Sequence, residues 1–80
     1  MNYKRYIESN PNVMLGKPII KGTRITVELI IQKLSEGTSH SQLLEAYPSL
    51  TANDILAALA YASEAISNET ILDNYKFNCH

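Results

Sequence analysis

The sequence predicts a mainly α-helical domain with three helices, the last two forming a helix-turn-helix-like pair, and a short N-terminal β-hairpin. Apolar residues recur at helical spacing from residue 27 to residue 66, and only short β-prone runs precede Thr26. With 80 residues, 45% of them hydrophobic, the chain can form one core but not two. We therefore expect one domain over residues 1–66, followed by a C-terminal tail over residues 67–80.

The segment before Thr26 holds β-prone runs at residues 6–7, 12–15, 19–20 and 24–27, separated by turn-forming residues. These runs predict two or three short strands or extended segments, with a hairpin that turns near Lys21 and Gly22. Strands this short cannot form a stable sheet alone, so they must pack on the helices or pair with a second subunit. The small core and the strand edges that need covering predict a homodimer.

The first two helices are marked by capping residues at their ends. Thr26 is the predicted N-cap of the first helix and Gly37 its left-handed C-cap, and the apolar stripe between them is Val27, Ile30, Ile31 and Leu34. The second helix begins with a capping box of Ser39 and Gln42 and stops before Pro48. The residues of this helix expected to face inward are Leu43, Leu44 and Tyr47.

The third helix is predicted to begin at Thr51, after a turn in which Leu50 points into the core. Asp54 lies in its first turn, where a negative charge is favourable to the helix dipole. Alanines between residues 57 and 62 raise the helix propensity and allow another helix to approach closely. The predicted apolar stripe consists of Ile55, Leu59, Ala62 and Ile66.

Residues suited to catalysis or metal binding are scarce. His40 lies in the first turn of the predicted second helix, where we interpret it as a helix-edge residue, and the glycines are too far apart for a phosphate-binding loop. Cys79 and His80 could be half of a metal site, but His40 is the only other Cys or His residue in the chain. We therefore expect no enzymatic activity, no metal and no cofactor.

Charge and hydropathy restrict the location and the partners of the chain. No run approaches the roughly 18 apolar residues that cross a membrane, and the first residues lack the apolar middle of a secretory signal, so we expect a cytoplasmic protein. Residues 1–33 carry six cations and two carboxylates, whereas residues 34–80 carry one cation and six carboxylates. This asymmetry is compatible with two interpretations. Either the folded chain has a basic face and an acidic face, or the fold brings the charges of the two halves together on the same surface.

The helix-turn-helix-like pair makes DNA a candidate partner. In such a pair the start of the second helix faces the major groove, and the candidates for base or phosphate contact are Thr51, Ala52, Asn53, Ala57 and Tyr61. Asn53 could read adenine through its amide. However, the third helix has no Lys or Arg, and phosphates would repel its Asp54 and Glu64.

Residues 16–25, with the sequence GKPIIKGTRI, are rich in cations and turn-forming residues. Lys17 and Lys21 could bind phosphates as point charges, and Arg24 could bind a phosphate through two hydrogen bonds from its guanidinium group. Alternatively the segment is structural: Gly22 permits a positive φ, Thr23 bonds the nearby backbone and Arg24 pairs with Glu28.

The motifs Gly-Lys-Pro, Gly-Thr-Arg and Tyr-Pro-x-Leu-Thr, with the run LLEAYPSLTANDILAALAYA, resemble domain-of-unknown-function family 433 over about residues 6–65. Members of this family are similar to VapB-type antitoxins, have a homeodomain-like fold and are often encoded beside a small PIN-like nuclease toxin. The resemblance implies a bacterial antitoxin that binds and neutralises a PIN-like ribonuclease and represses its own operon through operator DNA.

In the antitoxin hypothesis the tail orders on the toxin through its apolar residues Ile71, Leu72, Tyr75 and Phe77. Two alternatives remain open from the sequence. One is a stand-alone DNA-binding transcriptional regulator that uses the basic residues and Asn53. The other is a protein-interaction adaptor that binds neither DNA nor a nuclease.

Overall fold

Three helices and a two-stranded antiparallel sheet make up residues 2–67, the part of the chain that the computed structural model describes. The elements are β1 (Ile7–Glu8), β2 (Ile19–Ile20), α1 (Val27–Ser35), α2 (His40–Ala46) and α3 (Ala52–Ser67), with 3₁₀ turns at Tyr3–Arg5 and Met14–Gly16. The predicted fold class is confirmed. The predicted tail lies outside the described residues from residue 68 onward.

The sheet pairs β1 with β2, and a second antiparallel contact follows at the predicted turn. Ile7 of β1 pairs with Ile20 of β2, so residues 9–18 connect the two strands of the sheet. Because both isoleucines are buried, this register places them together on the core face. The chain also turns near Lys21 and Gly22, as predicted, with Gly22 at φ +78°. It then runs back antiparallel to β2 and forms a single bridge between Ile19 and Thr26.

Of the β-prone runs, residues 12–15 form no strand in the structure. Val13 makes only an isolated bridge to Asn10, and the chain then forms the 3₁₀ turn. The Asn10 side chain accepts a hydrogen bond from the Asn12 backbone N–H, at 2.9 Å, which closes a tight turn. Ladder pairing therefore stops after one bridge, because the chain must reverse direction to reach β2.

Local hydrogen bonds fix both ends of α1, as predicted. The Leu29 N–H donates to the Thr26 hydroxyl at 3.0 Å. At the other end, the Thr38 N–H donates to the Lys33 carbonyl and the Gly37 N–H to the Leu34 carbonyl, both at 3.0 Å, with Gly37 at φ +94°. This is the Schellman arrangement, which a residue with a Cβ would strain.

The caps of α2 and α3 hold the helix-turn-helix-like pair in place. Ser39 and Gln42 form the predicted capping box of α2. At the start of α3 the Asp54 N–H donates to the Thr51 hydroxyl at 3.2 Å, and the Thr51 N–H donates to the Asp54 carboxylate at 2.9 Å. Leu50, in the turn between the helices, is buried as predicted.

The core lies where α1 and α3 cross, but α3 presents a different face to it than the predicted stripe. Of that stripe only Ile55 is fully buried, whereas Leu59 is 39% and Ile66 58% exposed. The buried residues of the middle of the helix are Ala57 and Ala58. The side of α3 that carries these alanines packs against α1 and the Tyr3–Arg5 turn, because small side chains allow the backbone of α3 to approach its neighbours closely.

Candidate functional site

A groove of about 600 Å³ runs between α1 and α3. Its walls are mainly apolar side chains, with polar ones toward the rim, and its lining residues are Lys17, Pro18, Val27, Glu28, Ile31, Gln32, Ser35, Tyr61 and Ala62. The Val27 N–H donates to the Pro18 carbonyl at 3.0 Å, which ties the Gly-Lys-Pro loop to the start of α1. The groove can therefore accept an apolar group.

An ion pair stands at one end of the groove. The Lys17 ammonium donates to the Glu28 carboxylate at 2.8 Å, and both side chains are exposed. The hydrogen bond from Lys17, together with its positive charge, lowers the pKa of Glu28 below its ordinary value. The predicted pairing of Glu28 with Arg24 is therefore wrong, because Lys17 occupies that carboxylate.

Replacing Lys17 by methionine is expected to raise the pKa of Glu28 toward the ordinary glutamate value, because the donor and its charge are lost. Since the folded-state pKa is below the unfolded one, the pair stabilises the fold at pH values above the unfolded pKa. That contribution disappears as the pH falls through the folded pKa. An NMR titration of the side-chain carboxyl measures the shift. Lys21→Met is the matched control, and an unchanged Glu28 pKa in Lys17→Met would contradict the assignment.

The turn after β2 explains the Gly-Thr-Arg motif. The Thr23 hydroxyl donates to the Ile20 carbonyl at 2.8 Å and accepts from the Ile25 N–H at 3.0 Å. Gly22 has the positive φ that the structural interpretation required. Lys21 and Arg24 are left exposed on the two sides of this turn.

Tyr61 is engaged in the fold rather than free on the surface. Its ring packs edge-on against Tyr3, with the ring centroids 5.3 Å apart and an interplanar angle of 81°, and it also lines the groove. The Tyr3 hydroxyl donates to the Glu64 carboxylate. This hydrogen bond is the main cause that raises the pKa of Tyr3, and burial and the negative charge of Glu64 add to it. Tyr61 therefore joins α3 to the N-terminal turn.

The other predicted DNA contacts lie on two separate elements. Thr51 and Asn53 are exposed at the start of α3, whereas Lys17, Lys21 and Arg24 belong to the loops around β2. Thr51 already uses its hydroxyl to cap the helix. The DNA contacts stay predictions. The predicted partner contacts Ile71, Leu72, Tyr75 and Phe77 lie outside the described residues.

Sequence reasoning missed one exposed apolar feature, which directly precedes the Gly-Lys-Pro loop in the chain. Met14 and Leu15 both have positive φ, at 51° and 60°, a conformation that costs non-glycine residues energy. Leu15 is 93% exposed. The only sequence sign is the β-prone run at residues 12–15, which ends directly before Gly-Lys-Pro.

Within residues 2–67, no group of three His, Cys, Asp or Glu side chains is arranged to hold a metal ion. Over the same residues, every helix is too short or too polar to cross a membrane.

Comparison with known proteins places the chain in a family. Residues 7–62 match DUF433, described as a protein of unknown function. The chain is 36% identical over 59 residues to the uncharacterised protein y4eO of Sinorhizobium fredii (strain NBRC 101917 / NGR234), covering 74% of the chain but only 27% of that relative. The crystal structure of a DUF433 member from Anabaena variabilis ATCC 29413 matches with 32% identity and a TM-score of 0.73. This match covers 91% of the chain and 73% of the Anabaena chain. The chain thus belongs to the DUF433 family.

Proposed function

We propose that this chain is a protein-binding module of antitoxin type that neutralises a PIN-like ribonuclease. The observation that carries the proposal is the apolar surface left uncovered in residues 2–67. It comprises the α1–α3 groove, the half-exposed Leu59 and Ile66, and the exposed Leu15. Exposed apolar surface beside a groove is typical of protein-interaction sites.

The distribution of charge supports a protein partner over DNA for the helix pair. Residues 39–67, which contain α2 and α3, include no Lys or Arg but carry Glu45, Asp54 and Glu64. A groove-reading helix normally gains most of its affinity from cations that contact phosphates. A basic surface of a ribonuclease, which must itself bind RNA, is a better electrostatic match for these carboxylates.

In the proposed complex the apolar tail residues contact the ribonuclease. Tyr75 and Phe77 are the largest of them, and aromatic side chains dominate the binding energy of many interfaces. The neighbouring Asp73 would compete with RNA phosphates for the cations of the nuclease.

The proposal predicts that a PIN-like nuclease is encoded beside the gene of this chain, and the test is inhibition of that nuclease. Equimolar addition of the chain is expected to abolish cleavage of a single-stranded RNA, and a stable complex should appear by size-exclusion chromatography. The double change Tyr75→Ser and Phe77→Ser should raise the concentration needed for inhibition at least tenfold, because two hot-spot residues contribute more than about 1.4 kcal/mol.

Asn74→Ser is the matched control, since it alters the polar residue directly before Tyr75 and should inhibit like the native chain. Unimpaired cleavage at excess of the native chain, without complex formation, would contradict the antitoxin proposal.

A DNA-binding role is a second proposal, favoured by the exposure of Lys21 and Arg24 on one turn and of Asn53 at the start of α3. It predicts binding to the DNA upstream of its own gene that weakens steeply with salt. Removing both cations by Lys21→Ala and Arg24→Ala should reduce the salt slope by about 2, if each contacts one phosphate. Fluorescence anisotropy with the upstream duplex measures this. An unchanged slope would eliminate these contacts.

A further inference from the structure

The last turns of α3 leave an apolar stripe without cover. We define the uncovered stripe as Leu59, Ala62 and Ile66, the part of the predicted apolar face of α3 that follows Ile55. Leu59 and Ile66 are 39% and 58% exposed, and residues 63–67 are all exposed. An apolar face of this kind is normally buried against another element.

The uncovered stripe and the groove form one continuous surface. Ala62 lines the groove together with Ile31 of α1. On the helix surface, Leu59 lies one turn before Ala62 and Ile66 one turn after it, so the three side chains are neighbours. A single apolar segment could therefore cover the groove and the stripe together.

The size of this surface argues against a second copy of the chain as its occupant. A stable interface between proteins buries roughly 800 Å² on each partner and must offset the translational and rotational freedom lost on association. The groove and two half-exposed side chains near the end of one helix offer much less than that. A tethered segment of the same chain needs far less area, because its effective concentration is high.

The residues that follow α3 have the apolar composition and the length needed to cover the groove and the uncovered stripe. Residues 68–80 begin directly after Ser67 and contain Ile71, Leu72, Tyr75 and Phe77. The helix rises about 12 Å from Leu59 to Ser67, at 1.5 Å per residue. Three residues, 68–70, are enough to reverse the chain, and seven residues, 71–77, would span about 20 Å if extended or about 9 Å if helical. In the extended form they reach past Leu59, and in the helical form they cover Ile66 and Ala62.

We propose that, in the chain without a partner, residues 68–80 fold back along α3 and place their apolar side chains on the uncovered stripe and in the α1–α3 groove. The segment thereby covers Ala62 and Ile66, together with Ile31 of α1. This inference concerns the chain alone and holds whether or not the antitoxin proposal is correct. If the antitoxin proposal also holds, the ribonuclease must displace the segment from the groove.

The test uses the single cysteine of the full-length chain, Cys79, as the site of a nitroxide spin label. In the ¹⁵N-labelled protein the amide signals of Ile31, Ser35 and Ala62 are expected to lose intensity, and to regain it when the nitroxide is reduced. The amide of Gly22, in the turn after β2, is the reference signal and should keep its intensity.

Ile66→Asp is expected to remove this broadening, because a charge would have to be buried under the segment. Leu56→Asp is the matched control: Leu56 is a 48% exposed residue of the same helix, but it points about 120° away from Ala62 at 100° per residue. That variant should broaden the same signals as the native chain. An unchanged amide spectrum elsewhere shows that each variant is folded.

A mixture of two samples distinguishes an intramolecular contact from a contact with a second copy. One sample carries the spin label but no ¹⁵N, and the other carries ¹⁵N but no spin label. No broadening in the mixture supports the intramolecular contact, whereas broadening there means that a second copy fills the groove and overturns the proposal. Absence of broadening in the labelled chain itself, or equal broadening in Ile66→Asp, would also overturn it.

Discussion

Ile55→Ala is expected to lower the free energy of unfolding by about 2–5 kcal/mol, the usual cost of truncating a buried isoleucine. Ile55 is fully buried, and it packs in the core with Ile30 and Leu43. A domain of this length has a stability of roughly 4–12 kcal/mol, at 0.05–0.15 kcal/mol per residue. The substitution should therefore remove much of the total stability, as measured by urea unfolding followed by far-UV circular dichroism.

Leu56→Ala provides the matched control for this prediction. Leu56 is the next residue of α3 and loses a similar side chain, but it is 48% exposed. Because little cavity forms at an exposed site, the expected cost is about 0.5 kcal/mol or less. Equal destabilisation by the two substitutions would mean that α3 is rotated relative to the packing described above.

Asp54→Ala is expected to lower the free energy of unfolding by about 1–2 kcal/mol, because it removes a buried cap at the start of α3. The Asp54 side chain is 8% exposed, and its carboxylate accepts from the Thr51 N–H. Without it, that N–H has no acceptor in the cap. Urea unfolding measures the stability, and faster amide exchange at Thr51 would place the loss at the cap.

Asp54→Asn separates the hydrogen bond from the charge. The amide oxygen can still accept from Thr51, so only the interaction with the helix dipole is lost, worth about 0.3–1 kcal/mol. Glu45→Ala, at an exposed carboxylate of α2, should have little effect. If Asp54→Ala were as stable as the native chain, the capping box would not stabilise α3.

The helix boundaries could be predicted because they depend on residues close together in sequence. Thr26 accepts a hydrogen bond from the N–H of Leu29, three residues later, and Ser39 and Gln42 form a capping box within one turn. Gly37 is required by the local φ of the helix end. Such bonds form with the same partners in any environment that allows the helix, so pattern and spacing are sufficient to predict them.

The candidate site was less predictable because its contacts join distant segments. The partner of Glu28 is Lys17, 11 residues away, rather than Arg24, four residues away. The choice depends on the hydrogen bond between Val27 and Pro18, which brings the Gly-Lys-Pro loop to the start of α1. The groove itself arises from the crossing of α1 and α3, which no periodicity in one helix can describe.

The sequence by itself determined the three helices, the caps of α1 and α2, the buried Leu50 and the membership of residues 7–62 in DUF433, because short-range hydrogen bonds and apolar spacing specify these features. Only the tertiary structure decided the strand register and which face of α3 is buried. Periodicity showed that Ile55, Leu59 and Ile66 share an apolar face, but burial depends on what packs against it. In residues 2–67 the neighbours of α3 cover Ile55 and leave Leu59 and Ile66 partly exposed.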